Sequence, residues 1–161
     1  DPELPSGEAA EREWRPSDTG FHETRLLQMP SGRILIGMRA QGANFFTAYS
    51  DDEARTWSKP EETPIFCNGS SPFDLLLLND GRVLATYGHR RPPWGVRACL
   101  SEDEGRSWDV ENEIVLRDDG IDRDVGYPSS QQLDDGSILT VHYWHEEDQI
   151  RHLVSARWNV D

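Results

Sequence analysis

The sequence predicts an all-β protein assembled from three similar units of about fifty residues. A strand–turn–strand pattern occurs three times, and an aspartate-containing pattern occurs twice at the same spacing. No segment shows convincing helical periodicity. The 161 residues include 6 Trp, 5 Phe and 4 Tyr beside 13 Gly and 10 Pro, a composition typical of a folded, turn-rich chain.

The first pattern is a hairpin in which two apolar runs flank a polar turn. Its turns end at Gly32, Gly81 and Gly136, which are 49 and 55 residues apart. A polar residue followed by glycine between two such runs predicts a primed turn, because that turn needs positive φ. The three copies are ETRLLQMPSGRILIGMR, PFDLLLLNDGRVLATYGHR and YPSSQQLDDGSILTVHYW, beginning at Glu23, Pro72 and Tyr127.

The second pattern reads S-x-D-x-(G/A)-x-(T/S)-W and follows a strand in two of the units. It runs from Ser50 to Trp57 and, 51 residues later, from Ser101 to Trp108. We expect the aspartate to accept backbone N–H groups across a corner and the tryptophan to pack under it. With the hairpins, each unit then has four strands, the number in a β-propeller blade. The predicted repeats are 14–66, 67–118 and 119–158, within one partial propeller over 1–161.

The charge balance excludes several classes of function. Against 16 Lys and Arg stand 30 Asp and Glu, a net charge of −14, so we expect neither a nucleic-acid nor a membrane partner. Two cysteines, Cys67 and Cys99, are too few for a disulfide scaffold or a zinc site. The histidines are scattered, and there is no phosphate-binding glycine loop. We therefore expect no metal and no cofactor.

These motifs carry a resemblance to a known family. The S-x-D-x-G-x-T-W pattern is similar to the Asp-box of BNR-repeat proteins, with Ala54 in the place of the usual glycine. Together with YGHRRPPWGVRACLSEDEGRSW and DVGYPSSQQLDDGSILTVHYW, it makes residues 14–158 resemble the C-terminal half of a bacterial sialidase (neuraminidase). The resemblance implies three four-stranded blades of a six-bladed propeller. The family's acid/base aspartate and first triad arginine lie in the other half.

The resemblance also implies a retaining exo-glycoside hydrolase that cleaves terminal sialic acid or a related acidic sugar. Tyr127 would be the nucleophile and Glu23 its base; each stands nine residues before its turn glycine. A neutral phenol avoids repulsion by the carboxylate on the substrate's anomeric carbon, but it needs a base to become nucleophilic. The alternative for Tyr127 is a Tyr-Pro turn that stacks on a neighbouring blade.

An arginine cluster would bind the substrate carboxylate. Arg39 follows Glu23 by sixteen residues, as the family pattern requires, and its paired N–H donors suit a carboxylate. For a further triad arginine we rank Arg91 first, Arg90 second and Arg97 third. The alternative is that these arginines are surface charge, and that Arg39 merely follows a strand.

Two further residues are candidate substrate contacts. Asp74 opens an apolar run, so it either points into the channel or caps its own turn. Trp94 would be a sugar-stacking platform, or ordinary blade packing.

The unpaired edges of the three blades predict how the chain assembles and whether it is active alone. Three blades leave unpaired sheet edges and half-covered apolar faces, so we expect either a homodimer or association with a missing N-terminal half. Alone, the chain would have little or no sialidase turnover. The alternative function is a non-catalytic BNR-repeat module that binds carbohydrate or serves as a structural scaffold.

Overall fold

Three antiparallel sheets make up the computed structural model, which describes residues 20–40, 44–65 and 71–160. We call them blades 1, 2 and 3 in chain order. Blade 1 contains β1 (Phe21–Gln28), β2 (Ile34–Ala40), β3 (Phe46–Ser50) and β4 (Glu61–Glu62). Blade 2 contains β5 (Phe73–Leu77), β6 (Val83–His89), β7 (Trp94–Ser101) and β8 (Ile114–Gly120). Blade 3 contains β9 (Gly126–Gln132), β10 (Ile138–Trp144) and β11 (His152–Trp158).

The all-β prediction is confirmed. Within each blade, strands that are consecutive in sequence are neighbours in the sheet. Blade 3 has three strands in the described part of the chain, where the repeat pattern predicted four. In that same part of the chain there is no helix, and hence no helix that could cross a membrane.

The three predicted hairpins connect the first two strands of each blade, but their turns differ from the prediction. Gly32, Gly81 and Gly136 have φ of 91°, 93° and 87°, whereas the residue before each glycine is not in the left-handed region. In the first hairpin, the amide of Met29 donates to the carbonyl of Arg33 over 2.8 Å. The connection is therefore a three-residue turn with glycine in its bulge, rather than a two-residue primed turn.

The blades stack face to face, and their apolar residues meet between the sheets. Leu35 and Phe45 of blade 1 share a buried cluster with Phe73 and Tyr87 of blade 2; the Phe45 and Phe73 rings are stacked with centroids 4.7 Å apart. A second cluster joins Leu84, Ala98 and Ile138 between blades 2 and 3. Because of this stacking, β5 contacts both β1 and β9, so the first strands of the three blades converge.

Both Asp-boxes have the predicted corner. In the first, the Asp52 carboxylate accepts the amide and the hydroxyl of Thr56 over 2.8 and 2.6 Å. In the second, Asp103 accepts the same pair of groups from Ser107 over 2.8 and 2.6 Å. These bonds close a tight corner after the third strand of each blade.

The tryptophans of the two corners differ, and the expectation that both are buried is wrong for Trp57. Trp108 is 7% exposed and lies edge-on to the Phe45 ring of blade 1, with centroids 6.0 Å apart. Trp57 is 36% exposed among the described residues. The corner of blade 2 rests on blade 1, whereas the corner of blade 1 has no described blade against it.

Candidate functional site

Glu23, Arg39 and Tyr127 meet where the first strands of blades 1 and 3 converge. The Tyr127 hydroxyl donates to Glu23 Oε1 over 2.7 Å. Arg39 Nη1 donates to Glu23 Oε2 and, over 3.2 Å, to the Tyr127 hydroxyl oxygen. The three side chains proposed from the sequence as nucleophile, base and carboxylate ligand are thus mutual hydrogen-bond partners.

The backbone is irregular at the same two residues. Glu23 has φ of 40° and lies where the β1–β2 register shifts between His22 and Thr24. Tyr127 has φ of 48° and lies at the shift in the β9–β10 register. A non-glycine residue in the left-handed region costs about 1–3 kcal/mol, and a bulge re-aims the side chain that it carries. The two bulges turn both side chains toward one point.

Blade 2 has small residues at the place where the blade 1 and blade 3 side chains contact each other. Its residues at the positions equivalent to Glu23 and Arg39 are Pro72 and Gly88, nine before and seven after the turn glycine. A Cβ on Gly88 would lie 2.9 Å from the carbonyl oxygen of Val125, two residues before Tyr127. Because blade 2 carries no long side chain here, the segment leading to Tyr127 packs directly against β6.

The charges of the site keep Glu23 ionised. Partial burial acts to raise its pKa, but the hydrogen bonds from Tyr127 and Arg39 and the charges of Arg39 and Arg90 outweigh burial, so the pKa is below its ordinary value. Burial opposes the charge of Arg39 as well, yet the hydrogen bonds to Glu23 and Tyr127 raise its pKa. Near neutral pH, a carboxylate able to accept a proton therefore faces the phenol.

Of the three further arginines, Arg90 is the one that lies beside the trio. Its Nε donates to the carbonyl of Val125 over 3.2 Å, and its charge acts on Glu23. Arg91, ranked first from the sequence, lies in the exposed turn that leads into the cis Pro92–Pro93 bond. Arg97 on β7 forms an ion pair with Glu113, which directly precedes β8 of the same blade. The geometry therefore favours Arg90 over Arg91 and Arg97.

Asp74 has protein partners on both oxygens. Its Oδ1 accepts from Arg25 Nε of blade 1 over 3.1 Å, and its Oδ2 accepts from the Ser130 amide of blade 3 over 2.9 Å. With 13% of the side chain exposed, Asp74 ties the three blades together. This position argues for a structural role rather than the proposed substrate contact.

Trp94 packs between blades rather than on an open surface. Its side chain lies against the buried cluster of Val96, Val125 and Trp144, at the interface of blades 2 and 3. The structure thus favours blade packing, the second of the two interpretations that the sequence left open.

Three residues next to the trio were missed by the sequence reasoning. The Tyr143 hydroxyl donates to Asp124 Oδ1, and Arg151 Nη2 donates to Asp124 Oδ2 over 2.6 Å. The Tyr143 and Tyr127 rings have centroids 6.0 Å apart. A signal was available, because Tyr143 follows its turn glycine by seven residues, as Arg39 follows Gly32.

No metal site accompanies these residues in the described ranges. Across 20–40, 44–65 and 71–160, no group of three or more His, Cys, Asp or Glu side chains is placed to hold a metal ion.

Comparison with known protein families gives a match that covers most of the chain. Residues 8–142 match the model described as a BNR repeat-like domain. The chain belongs to this family. A comparison with curated proteins finds no match.

Several solved structures share this fold. A protein of unknown function from Dyadobacter fermentans DSM 18053 is 28% identical, with a TM-score of 0.79 over 91% of this chain and 40% of that one. An endo-1,4-beta-xylanase from Bacteroides thetaiotaomicron VPI-5482 is 13% identical, with a TM-score of 0.63 over 86% of this chain and 50% of that one. The intramolecular trans-sialidase from Ruminococcus gnavus, solved with oseltamivir carboxylate, is 16% identical, with a TM-score of 0.59 over 86% of this chain and 32% of that one.

These likenesses establish the fold. The three sheets are blades of a sialidase-like propeller, and they do not close a ring among the described residues. The chain spans half or less of the length of each of these structures.

Proposed function

We propose that this chain carries the nucleophile side of a sialidase-type active site in a retaining exo-glycoside hydrolase. The substrate class is a terminal sialic acid or a related acidic sugar. The observation that carries the proposal is the contact of a phenol, a carboxylate and a guanidinium at Tyr127, Glu23 and Arg39.

The chemistry follows from the hydrogen bonds. As the Tyr127 oxygen bonds to the anomeric carbon, its proton passes to Glu23 over the existing 2.7 Å contact, and the bond to the leaving group breaks. Water then cleaves the glycosyl–tyrosine bond, and the phenol regains a proton from Glu23. Arg39, with Arg90 beside it, neutralises the substrate carboxylate next to the reacting carbon.

The charges explain the choice of a tyrosine. A carboxylate nucleophile would approach a carbon that already bears a carboxylate, whereas a phenol is neutral until the step in which it attacks. Because Glu23 has a lowered pKa, it is ionised and ready to receive the proton near neutral pH. The protonation of the leaving group is assigned to a residue outside this chain's described site.

Hydrolysis of a fluorogenic sialoside tests the proposal. We expect little or no turnover from this chain alone, and turnover when the rest of a six-bladed propeller is supplied. Tyr127→Phe and Glu23→Gln should then each abolish it, whereas Tyr49→Phe, a matched change on an exposed blade 1 tyrosine, should not. Undiminished turnover in Tyr127→Phe would overturn the proposal. Sialoside binding without turnover in the completed propeller would support a non-catalytic carbohydrate-binding module instead.

A further inference from the structure

A second set of phenol, carboxylate and guanidinium groups lies beside the first. Tyr143 pairs with Gly126 in the β9–β10 ladder, and Gly126 directly precedes Tyr127. Arg39 has the equivalent place in blade 1, because it pairs with His22, which directly precedes Glu23. Its hydroxyl contacts Asp124, and Arg90 Nη2 approaches the same hydroxyl at 3.4 Å. The second set therefore joins Tyr143 to the arginine nearest the proposed site.

The ionisation state of Asp124 determines the direction of these hydrogen bonds. Arg151 donates two N–H groups to Asp124 Oδ2, over 2.6 and 3.2 Å, which favours the ionised carboxylate. An ionised carboxylate only accepts, so Tyr143 donates to Oδ1, and the remaining lone pairs of its oxygen face Arg90. Burial and this bond raise the pKa of Tyr143 to about 12, so its hydroxyl keeps its proton near neutral pH.

Arg90 is also held at a second point. Its Nε donates to the carbonyl of Val125, two residues before Tyr127. Contacts at Nε and Nη2 define the plane of the guanidinium relative to the segment that carries the nucleophile. A planar guanidinium can pair with a carboxylate through parallel N–H donors only if that plane is set correctly.

We propose that Tyr143, anchored by Asp124, is a positioning residue that orients Arg90 to share a substrate carboxylate with Arg39. This inference rests on the proposed function, because it assigns the anion specificity of that site. Tyr143 would contact neither the reacting carbon nor the leaving group, and its effect on the substrate would pass entirely through Arg90.

Binding of N-acetylneuraminic acid and of its methyl ester, measured by calorimetry, tests the proposal. The acid carries the negative charge that Arg90 would recognise, whereas the ester is neutral and has one additional methyl group. We expect Tyr143→Phe to weaken binding of the acid about tenfold and to leave binding of the ester unchanged, since the variant loses the acceptor but keeps the ring. Asp124→Asn should have the same selective effect, and it serves as the second variant if Tyr143→Phe fails to fold. Tyr49→Phe is the matched control.

The outcomes separate this inference from the proposed function. If the unmodified protein does not prefer the acid over the ester, the proposed function fails. If it prefers the acid and Tyr143→Phe keeps that preference, the positioning role fails.

A titration without ligand gives an independent test. Because the charge of Arg90 lowers the pKa of Glu23, releasing Arg90 should raise that pKa in Tyr143→Phe. NMR of the Glu23 side chain measures it. An unchanged Glu23 pKa in a folded Tyr143→Phe variant would contradict the positioning role, whether or not a sugar binds.

Discussion

Gly88→Ala should uncouple Tyr127 from Glu23 without removing either side chain. The new Cβ would lie 2.9 Å from the Val125 carbonyl oxygen and 3.2 Å from Gly126 Cα. Both contacts are with backbone, so relief needs a shift of the 125–127 segment rather than a rotamer change. An ordinary contact begins near 3.4 Å, so the segment must move by about 0.5 Å.

A shift of about 0.5 Å is large compared with the range of lengths over which a hydrogen bond forms. It would lengthen the 2.7 Å bond from Tyr127 to Glu23 to about 3.2 Å, beyond the upper limit of about 3.0 Å for an O–H···O hydrogen bond. Overpacking of this kind costs about 1–3 kcal/mol of unfolding free energy. We therefore expect two separate effects, a modest loss of stability and the loss of coupling between the two side chains.

Denaturant unfolding of the unmodified protein and three variants measures that coupling. Glu23→Gln, Tyr127→Phe and their combination form a double-mutant cycle, whose interaction free energy for hydrogen-bonded neighbours is about 0.5–3 kcal/mol. In the Gly88→Ala background this interaction should fall to near zero. Gly20→Ala is the matched control, because its Cβ would meet only the His22 ring, at 3.6 Å. Full coupling in Gly88→Ala would refute the view that blade 2 makes room for the site.

Three further predictions concern stability, pH and assembly. Trp108→Ala should lower the unfolding free energy by about 3–5 kcal/mol, because Trp108 is buried between blades. Trp57→Ala should lower it by much less, because Trp57 is exposed, and equal losses would contradict this packing. Because the pKa of Glu23 is lower in the folded protein than its ordinary value, ionised Glu23 stabilises the fold at pH values above the ordinary glutamate pKa. This contribution is lost as the pH falls through the folded-state pKa. Glu23→Gln should therefore flatten the acid limb of a stability–pH curve, and an unaltered limb would argue against the ionised contact. Light scattering should give a dimer, or a complex with an N-terminal half, and a well-behaved monomer near 18.4 kDa would refute the assembly argument.

The repeat pattern predicted the blades, and the resemblance to sialidases predicted the contact between Glu23 and Tyr127, which the repeat positions explain. Both residues hold the same register position before a turn glycine, so equivalent strands carry them to equivalent places near the convergence of the blades. The hairpins themselves were predictable from Gly32, Gly81 and Gly136. Their turn type was not, because a polar-glycine pair fits both a two-residue primed turn and a three-residue turn with a glycine bulge.

What the sequence could not predict depends on neighbouring blades. Arg90 and Arg91 lie just past the end of β6, where strand alternation no longer determines which side chain points toward the site. The Asp-box pattern recurs around Trp57 and Trp108, yet their burial differs because, among the described residues, the Trp108 corner alone rests on another blade. Asp74 could be a substrate ligand or a structural tie until its partners on blades 1 and 3 were known.

Covalent labelling of Tyr127 tests the central claim most directly. A sialosyl fluoride with a second fluorine beside the anomeric carbon needs no acid to expel its leaving group, and its glycosyl–enzyme breaks down slowly. The Tyr127 oxygen would bond to the anomeric carbon, fluoride would leave, and Glu23 would take the phenol proton. Trypsin should release residues 124–151 with the added mass of one glycosyl unit, and fragmentation should assign it to Tyr127. In the completed six-bladed propeller, a label on Tyr143, or no label at all, would contradict the account.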